Sequence, residues 1–271
     1  IVFLSKIPSP KIIVQAFKEV QPRLIFSVPL ILEKIYKKQI KPGLNKTSIK
    51  VLMKIPFLKN KVYKEVYNKL RSAFGGKFEQ IVIGGAALNK EVETFLRNIR
   101  FPYTVGYGMT ECGPLISYEY WEDTKPYTAG RVMDTLQIKV DSPNQEKEVG
   151  ELMVRGENVM MGYYKNKKAT AETITPDGWL HTGDLGTIDK KGFIHIKGRS
   201  KSMILGPSGQ NIYPEEIEAK LNNIPFVSES LVVEREGKLH ALIHPDDDAL
   251  KVDGVARETF KKIVLHAQKN L

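Results

Sequence analysis

Residues 80–111 read QIVIGGAALNKEVETFLRNIRFPYTVGYGMTE. The run Gln80-Ile81-Val82-Ile83 is short and apolar and ends in Gly84-Gly85, the form of a buried strand that leaves its sheet through a turn. Asn89 then stands where a helix N-cap is expected, and Val92, Phe95, Leu96 and Ile99 recur at the spacing of one helix face. From Tyr103 to Val105 the chain reads as extended again, and it meets a second glycine at Gly106. Strand, helix and strand in this order predict a βαβ unit with parallel strands. Such a unit places Gly84 and Gly106 on the carboxyl edge of the sheet, where open α/β sheets bind ligands.

Upstream, residues 22–27 read as a short buried strand and 29–40 as a helix with Pro29 in its first turn. Residues 60–74 carry Val62, Val66 and Leu70 at helical spacing and end at Gly75-Gly76. Downstream, 131–196 changes to short alternating strands at 136–141, 150–155 and 193–196. Beyond Gly198 the pattern is a helix at 214–221, strands at 227–234 and 238–244, and a helix at 255–270. The predicted class is α/β: a parallel sheet with helices, a small β-rich subdomain at about 131–197, then an α+β segment. A domain boundary is expected near Gly198 to Lys201, which gives domains 1–198 and 199–271.

The chain has 271 residues, 42% of them apolar and 27% charged, which excludes disordered, collagenous and coiled-coil classes. No apolar run approaches the roughly 20 residues of a bilayer span. The single cysteine, Cys112, excludes an internal disulfide and a cysteine-rich zinc site; a reducing, cytoplasmic setting is expected. The sequence opens at Ile1 and stops at Leu271 inside a helical pattern, so both ends read as cut. Of the net charge of +10, the excess lies in residues 1–80, with 17 basic and 4 acidic side chains. Such a block attracts nucleic acid, an anionic membrane or an acidic ligand, or is simply a solvated lysine face.

Two strings carry chemistry. Gly84-Gly85-Ala86-Ala87 has almost no side-chain bulk, so main chain can approach a flat ring; a tight strand-to-helix turn is the plainer reading. In Gly106-Tyr107-Gly108-Met109-Thr110-Glu111, the Tyr107 ring can stack on a base and Thr110 can donate to a phosphate oxygen. Glu111 offers the hard oxygen that Mg²⁺ prefers. The plainer alternative is a buried tyrosine beside a solvated glutamate. Cys112 reads as a small filler residue.

With GGAAL at 84–88 and GYGMTE at 106–111 stand GELMVRGENVMMGYY at 150–164, GWLHTGDLG at 178–186 and GRSKSMILGPSGQNIYPEEIE at 198–218. In this order and spacing they resemble the adenylate-forming, AMP-binding superfamily of acyl-CoA synthetases, peptide-synthetase adenylation domains and luciferases. Within it the chain is most similar to bacterial long-chain fatty-acid CoA ligases.

The resemblance implies ATP-dependent ligation of a fatty acid to coenzyme A through an acyl-adenylate, with Mg²⁺ as cofactor. It gives adenine to Tyr107, Gly106, Gly108 and the 84–87 backbone, and the phosphate and metal to Thr110 and Glu111. Asp184, read on a turn between glycines, would accept from both ribose hydroxyls, with Arg199 beside it. Lys201 aligns with the hinge about which the C-terminal domain swings, and Gly209 lies in the loop that lines the pantetheine tunnel. His181, His195 and the glutamates of 215–218 read as structural, and Asp189 as a turn aspartate bonded to its own backbone. The expectation is that purine slot, metal acid and ribose acceptor converge on one mononucleotide. The acyl chain is expected beneath the Gly84 and Gly106 turns, toward the apolar strand at 24–28.

The family's phosphate-cradling loop and its C-terminal adenylation lysine are not among the motifs of residues 1–271, so this chain alone is expected not to complete the reaction. Two alternatives stand beside the ligase: an amino-acid or aryl-acid adenylation domain serving a carrier protein, and a noncatalytic basic module that binds nucleic acid or membrane. The net acidity of residues 81–271, with 24 basic against 27 acidic side chains, argues against nucleic acid. The lysines around 34–77 predict instead peripheral contact with an anionic bilayer, at the inner face of the cell membrane.

Overall fold

The computed structural model describes residues 10–206 and 208–268; Pro207 and the last residues of the expected 255–270 helix lie outside them. The chain divides into two compact units. The first takes the described residues up to Leu136 with Glu157–Met160 and Gly192–Ile194, and the second takes Gln137–Gly156, Met161–Lys191 and the residues from His195 onward.

In the first unit, α1 (Pro10–Val20), β1 (Leu24–Ser27), α2 (Pro29–Ile35), α3 (Lys41–Leu44), α4 (Thr47–Leu52) and α5 (Pro56–Ala73) lead into β2 (Gln80–Ile83), α6 (Lys90–Asn98) and β3 (Tyr103–Val105). The order β1-β2-β3 is parallel throughout, with Ile81 paired to Ile25 on one side and to Tyr103 on the other. All four β2 residues are buried, as a central strand requires. Phe78, Ile81, Ile83 and Phe101 form the centre of a core closed by Val92, Phe95 and Leu96 of α6. Each such side chain contributes about 1.5–3 kcal/mol by leaving water. The expected cap is present: Asn89 Oδ1 accepts from the Glu91 and Val92 amides at 2.9 and 3.4 Å. The α/β class read from residues 80–111 is therefore the observed one.

Two expectations here need correction. The strand at 22–27 is not buried as a whole: only Ile25 is, while Phe26 is 76% exposed and Leu24 is also exposed. β1 is an edge strand whose side chains alternate, so one face joins the helix-covered core and the other does not. Nor does one α-helix run over 29–40. Tyr36–Ile40 is a π-helical turn in which the Lys41 amide bonds the Tyr36 carbonyl. This wider turn directly precedes Pro42, which has no N–H and whose ring excludes a regular helical carbonyl behind it. The 60–74 helix starts earlier, at Pro56, and ends as expected where Gly75 and Gly76 take positive φ.

β4 (Tyr107–Gly108), β5 (Leu115–Tyr118) and β6 (Arg131–Val132) form a small antiparallel sheet. Then follow β7 (Leu136–Asp141), β8 (Gly150–Gly156), α7 (Lys167–Thr173), β9 (Leu180–Ile188) and β10 (Ile194–Arg199), with the sheet order β10-β9-β8-β7. The expected strands at 136–141, 150–155 and 193–196 are there, whereas β9 is an addition, since its glycines concealed an extended segment. The rest of the second unit is a hairpin of β11 (Ile204–Leu205) and β12 (Asn211–Ile212), then α8 (Pro214–Leu221), the long hairpin of β13 (Val227–Arg235) and β14 (Lys238–Pro245), α9 (Asp247–Val252) and α10 (Arg257–Gln268). Its separate core is Leu221, Ile224, Val227, Val232, Leu250 and Phe260.

Candidate functional site

The residues singled out by sequence fall into two sets, one on each unit. In the first unit the Gly84 amide bonds the Ser27 carbonyl at 3.1 Å, and the Gly106 amide bonds the Ile83 carbonyl at 2.9 Å. Gly84 and Gly106 thus sit side by side at the carboxyl ends of β2 and β3. A Cβ on Gly84 would lie 3.6 Å from the Gly106 carbonyl oxygen, ordinary contact, so the position is tight but not glycine-locked. Gly85 has φ +89° with open space around it, and Gly85, Ala86 and Ala87 form an exposed shelf of main chain.

Tyr107 follows directly and is buried, 8% exposed, in register with Ser117. Gly108 is glycine for a steric reason, since a Cβ there would run into the Pro114 carbonyl. That contact closes a hairpin: the Met109 amide donates to the Pro114 carbonyl at 2.8 Å, and Thr110–Cys112 make one 3-10 turn. Thr110 is exposed at the tip with Glu111 beside it, and the Glu111 carbonyl accepts from the Met160 amide at 2.8 Å. Burial, reinforced by the Glu111 charge, pushes the Cys112 thiol up to about 11, so it is protonated and inert at neutral pH, in keeping with a filler role.

For Mg²⁺ the donors fit a particular mode. No cluster of three His, Cys, Asp or Glu able to hold a metal occurs among the described residues. Glu111 therefore offers one carboxylate at an exposed turn, which suits an ion that keeps its waters and takes its other ligands from substrate phosphates.

In the second unit, Asp184 is not on a turn as expected but within β9, at a bulge. The register passes from Glu151↔Leu185 to Met153↔His181, so residues 182–184 face a single residue, Leu152, and Gly183 takes φ +71° to make the detour. Glu151 holds this bulge: Oε1 accepts from the Gly183 amide at 2.9 Å, and Oε2 lies 2.8 Å from His181 Nδ1. Thr182 Oγ1 donates to the Leu152 carbonyl at 2.7 Å and accepts from the Asp184 amide at 3.1 Å. Sequence reasoning read His181 as structural, as found, but passed over Glu151, whose only signal was its place opposite the Thr182-Gly183 step.

Arg199, at the end of β10, brings its Nε to 3.2 Å from Asp184 Oδ1 and donates from Nη1 to the Thr182 carbonyl at 3.3 Å. Asp184 is enclosed while Arg199 is 60% exposed, so the guanidinium keeps an outer edge toward solvent. α8 backs this strand end. Glu215 Oε1 accepts from the Arg199 amide at 3.3 Å, and its carboxylate packs so close to Gly198 that a Cβ there would clash. Glu216 pairs with Lys197 at 3.0 Å, and Glu218 Oε1 accepts from the Val232 amide. These glutamates are structural, as read from sequence. Asp189 accepts from the Lys191 amide at 2.8 Å, the expected Asx turn.

Lys201 is exposed in the tight turn in which the Met203 amide bonds the Arg199 carbonyl. Gly209, φ +78°, lies at the tip of the β11–β12 hairpin with nothing within 4 Å of the place its Cβ would take.

The profile of the family described as AMP-binding enzyme matches residues 1–164, well over half of the chain. The chain belongs to that family. Among its relatives, the long-chain-fatty-acid–CoA ligase FadD15 of Mycobacterium bovis is 36% identical over 187 residues, covering 69% of this chain and 30% of that protein. The 4-coumarate–CoA ligase 1 of Arabidopsis thaliana is 34% identical over 206 residues, covering 69% of this chain and 36% of that one. Among solved structures the same fold recurs. ATP-bound MatB from Rhodopseudomonas palustris matches with a TM-score of 0.70 at 23% identity over 99% of this chain and 47% of its own. The O-succinylbenzoate–CoA synthetase MenE of Bacillus subtilis, in complex with ATP and magnesium, matches with a TM-score of 0.66 at 26% identity, over 87% and 44%. The chain spans about a third of the curated relatives named here and just under half of the solved structures.

Proposed function

We infer that the chain is the nucleotide-handling part of an ATP-dependent ligase that joins a carboxylic acid to coenzyme A, the acid being a long-chain fatty acid by similarity to FadD15. The observation that carries this reading is the fixed Asp184–Arg199 pair at the β9 bulge, in a chain of the AMP-binding family.

In this reading the acid oxygen attacks the α-phosphate of ATP, pyrophosphate leaves, and the thiol of coenzyme A then displaces AMP from the acyl-adenylate. Both steps develop negative charge on oxygen, so fixed donors and cations matter more than a protein nucleophile. The main chain at 84–87, with Gly106, Tyr107 and Gly108, serves the adenine. Asp184 accepts from the ribose hydroxyls while Arg199 holds that carboxylate and turns its outer edge to oxygen. Thr110 donates to the phosphate, and Glu111 would hold Mg²⁺, which when bound would supply positive charge beside the phosphates. Lys201, although it lies inside the second compact unit, is in this reading the hinge about which 199–271 swings, and Gly209 gives room for the pantetheine arm. The acid lies along the exposed apolar side chains of Leu24 and Phe26. A reducing, cytoplasmic setting belongs to the same reading and rests on the single cysteine.

ATP–pyrophosphate exchange in the protein that contains these residues, with palmitate, 4-coumarate and an amino-acid panel, tests it. Palmitate-dependent exchange followed by release of AMP on adding coenzyme A is expected. Exchange with amino acids alone, insensitive to coenzyme A, would replace this reading with an adenylation domain serving a carrier protein.

A further inference from the structure

Between Glu33 and Glu65 the sequence holds ten lysines and no acidic residue. The structure adds what charge counting missed: within seven residues at the junction of α4 and α5, Val51, Ile55 and Phe57 are 56%, 49% and 78% exposed. They do not serve the core. On α5 the core is met by Tyr63, Val66, Tyr67 and Leu70, and α6 closes it from its own side. The junction is nonetheless well formed, with the Lys54 amide on the Val51 carbonyl at 3.1 Å, the Ile55 amide on Leu52 at 3.1 Å and the Lys59 amide on Ile55 at 2.9 Å. The three apolar side chains are therefore held out on a defined tip. Exposed Lys46, Lys50, Lys54, Lys61 and Lys64 surround them in sequence.

We propose that this α4–α5 tip docks the protein on the surface of an anionic lipid bilayer, with Phe57, Ile55 and Val51 entering the interface and the lysines holding the headgroups. The two halves of the tip select this partner together. Lysines alone suit any polyanion, but an exposed phenylalanine that follows two exposed aliphatic residues gains nothing from a phosphate backbone, whereas it gains its transfer free energy at a lipid interface. The stretch has no acidic residue to repel anionic headgroups, and each lysine near such a surface adds about fivefold to partitioning. Among the described residues no helix is long and apolar enough to cross a membrane, so the contact proposed is peripheral.

Co-sedimentation with vesicles of phosphatidylcholine mixed with phosphatidylserine, against phosphatidylcholine alone, tests the proposal on the full chain. Binding to the mixed vesicles is expected and should weaken from 0.1 M to 1 M salt, as the Debye length falls from about 10 to about 3 Å. Phe57→Ser should lower binding on the order of tenfold at low salt without changing the salt slope. Lys50→Gln with Lys54→Gln should lower it about fivefold per lysine and flatten that slope. Val51→Ser serves as the second apolar variant, and circular dichroism confirms that each variant is folded. Equal binding to both vesicle types, or wild-type binding by both apolar variants, overturns the proposal. So does single-stranded RNA that binds more tightly than the vesicles and displaces the protein from them, which would make the patch a nucleic-acid surface.

Discussion

Arg199 Nε and Asp184 Oδ1 stand 3.2 Å apart although fifteen positions separate them in the chain, because β9 and β10 are neighbours in one sheet. The arginine also donates to the Thr182 carbonyl, so it fixes both the bulge and the carboxylate that the bulge presents. Asp184→Asn, nearly isosteric, removes the charge that, under the proposed function, strengthens hydrogen bonds from the two ribose hydroxyls. AMP affinity measured by calorimetry should fall by roughly tenfold to a hundredfold. Arg199→Lys should weaken it as well, since an ammonium cannot make the Nε and Nη1 contacts together. Unchanged affinity in both variants would remove this pair from the proposed nucleotide site.

Glu151 acts through the same bulge. Glu151→Ala leaves the Gly183 amide without its acceptor and should cost about 1–3 kcal/mol in urea unfolding. Glu151→Gln keeps an acceptor for Gly183 and a donor for His181 Nδ1, so it should recover most of that stability and of the AMP affinity. If Glu151→Gln were as damaging as Glu151→Ala, the carboxylate would be needed for its charge rather than for its geometry.

The glycines at two strand ends should respond differently to alanine. At Gly108 a Cβ meets the Pro114 main chain, and Gly108→Ala should destabilise by about 1–3 kcal/mol and disturb the Thr110–Glu111 turn. At Gly85 space is open and only the positive φ resists, so Gly85→Ala should cost on the order of 1 kcal/mol. Chemical denaturation of the two variants side by side reads the difference.

Glu93 supplies a pH dependence. It is buried on α6, where Oε1 accepts from the Tyr127 amide at 2.8 Å and the Tyr103 hydroxyl at 3.2 Å. Burial raises its pKa above the ordinary 4.5, partly offset by those hydrogen bonds and by the charges of Arg97 and Lys90. A carboxyl raised on folding stabilises fully below its unfolded pKa and loses that contribution as pH climbs through the folded value. Glu93→Gln keeps the acceptor and cannot ionise. Its unfolding midpoint should therefore gain on the wild type as pH rises from 4.5, and a constant offset across that range would refute the shift.

Residues 80–111 carried the fold because every local signal there agreed: an apolar run, a capping asparagine, one helix face and two glycines at strand ends. The C-terminal helix at 214–221 and the two following strands were legible for the same reason. Reading failed where local preference and tertiary setting diverged. Leu24 and Phe26 look like core residues, yet an edge strand with one covered face leaves them out. Residues 180–188 look like a loop, since Gly183 and Gly186 disguise a nine-residue strand.

The sequence by itself determined the α/β class, the βαβ unit with Gly84 and Gly106 at its ends, and the motifs that place the chain among AMP-binding enzymes, since periodicity, capping and turn chemistry are properties of neighbouring residues. Only the tertiary structure decided that Asp184 projects from a bulge, that Glu151 holds that bulge, and that Arg199 meets Asp184. Those contacts depend on the register between strands, which no single stretch of chain encodes. It also decided that Val51, Ile55 and Phe57 face outward, because a hydrophobic side chain is buried only if some other part of the fold arrives to cover it.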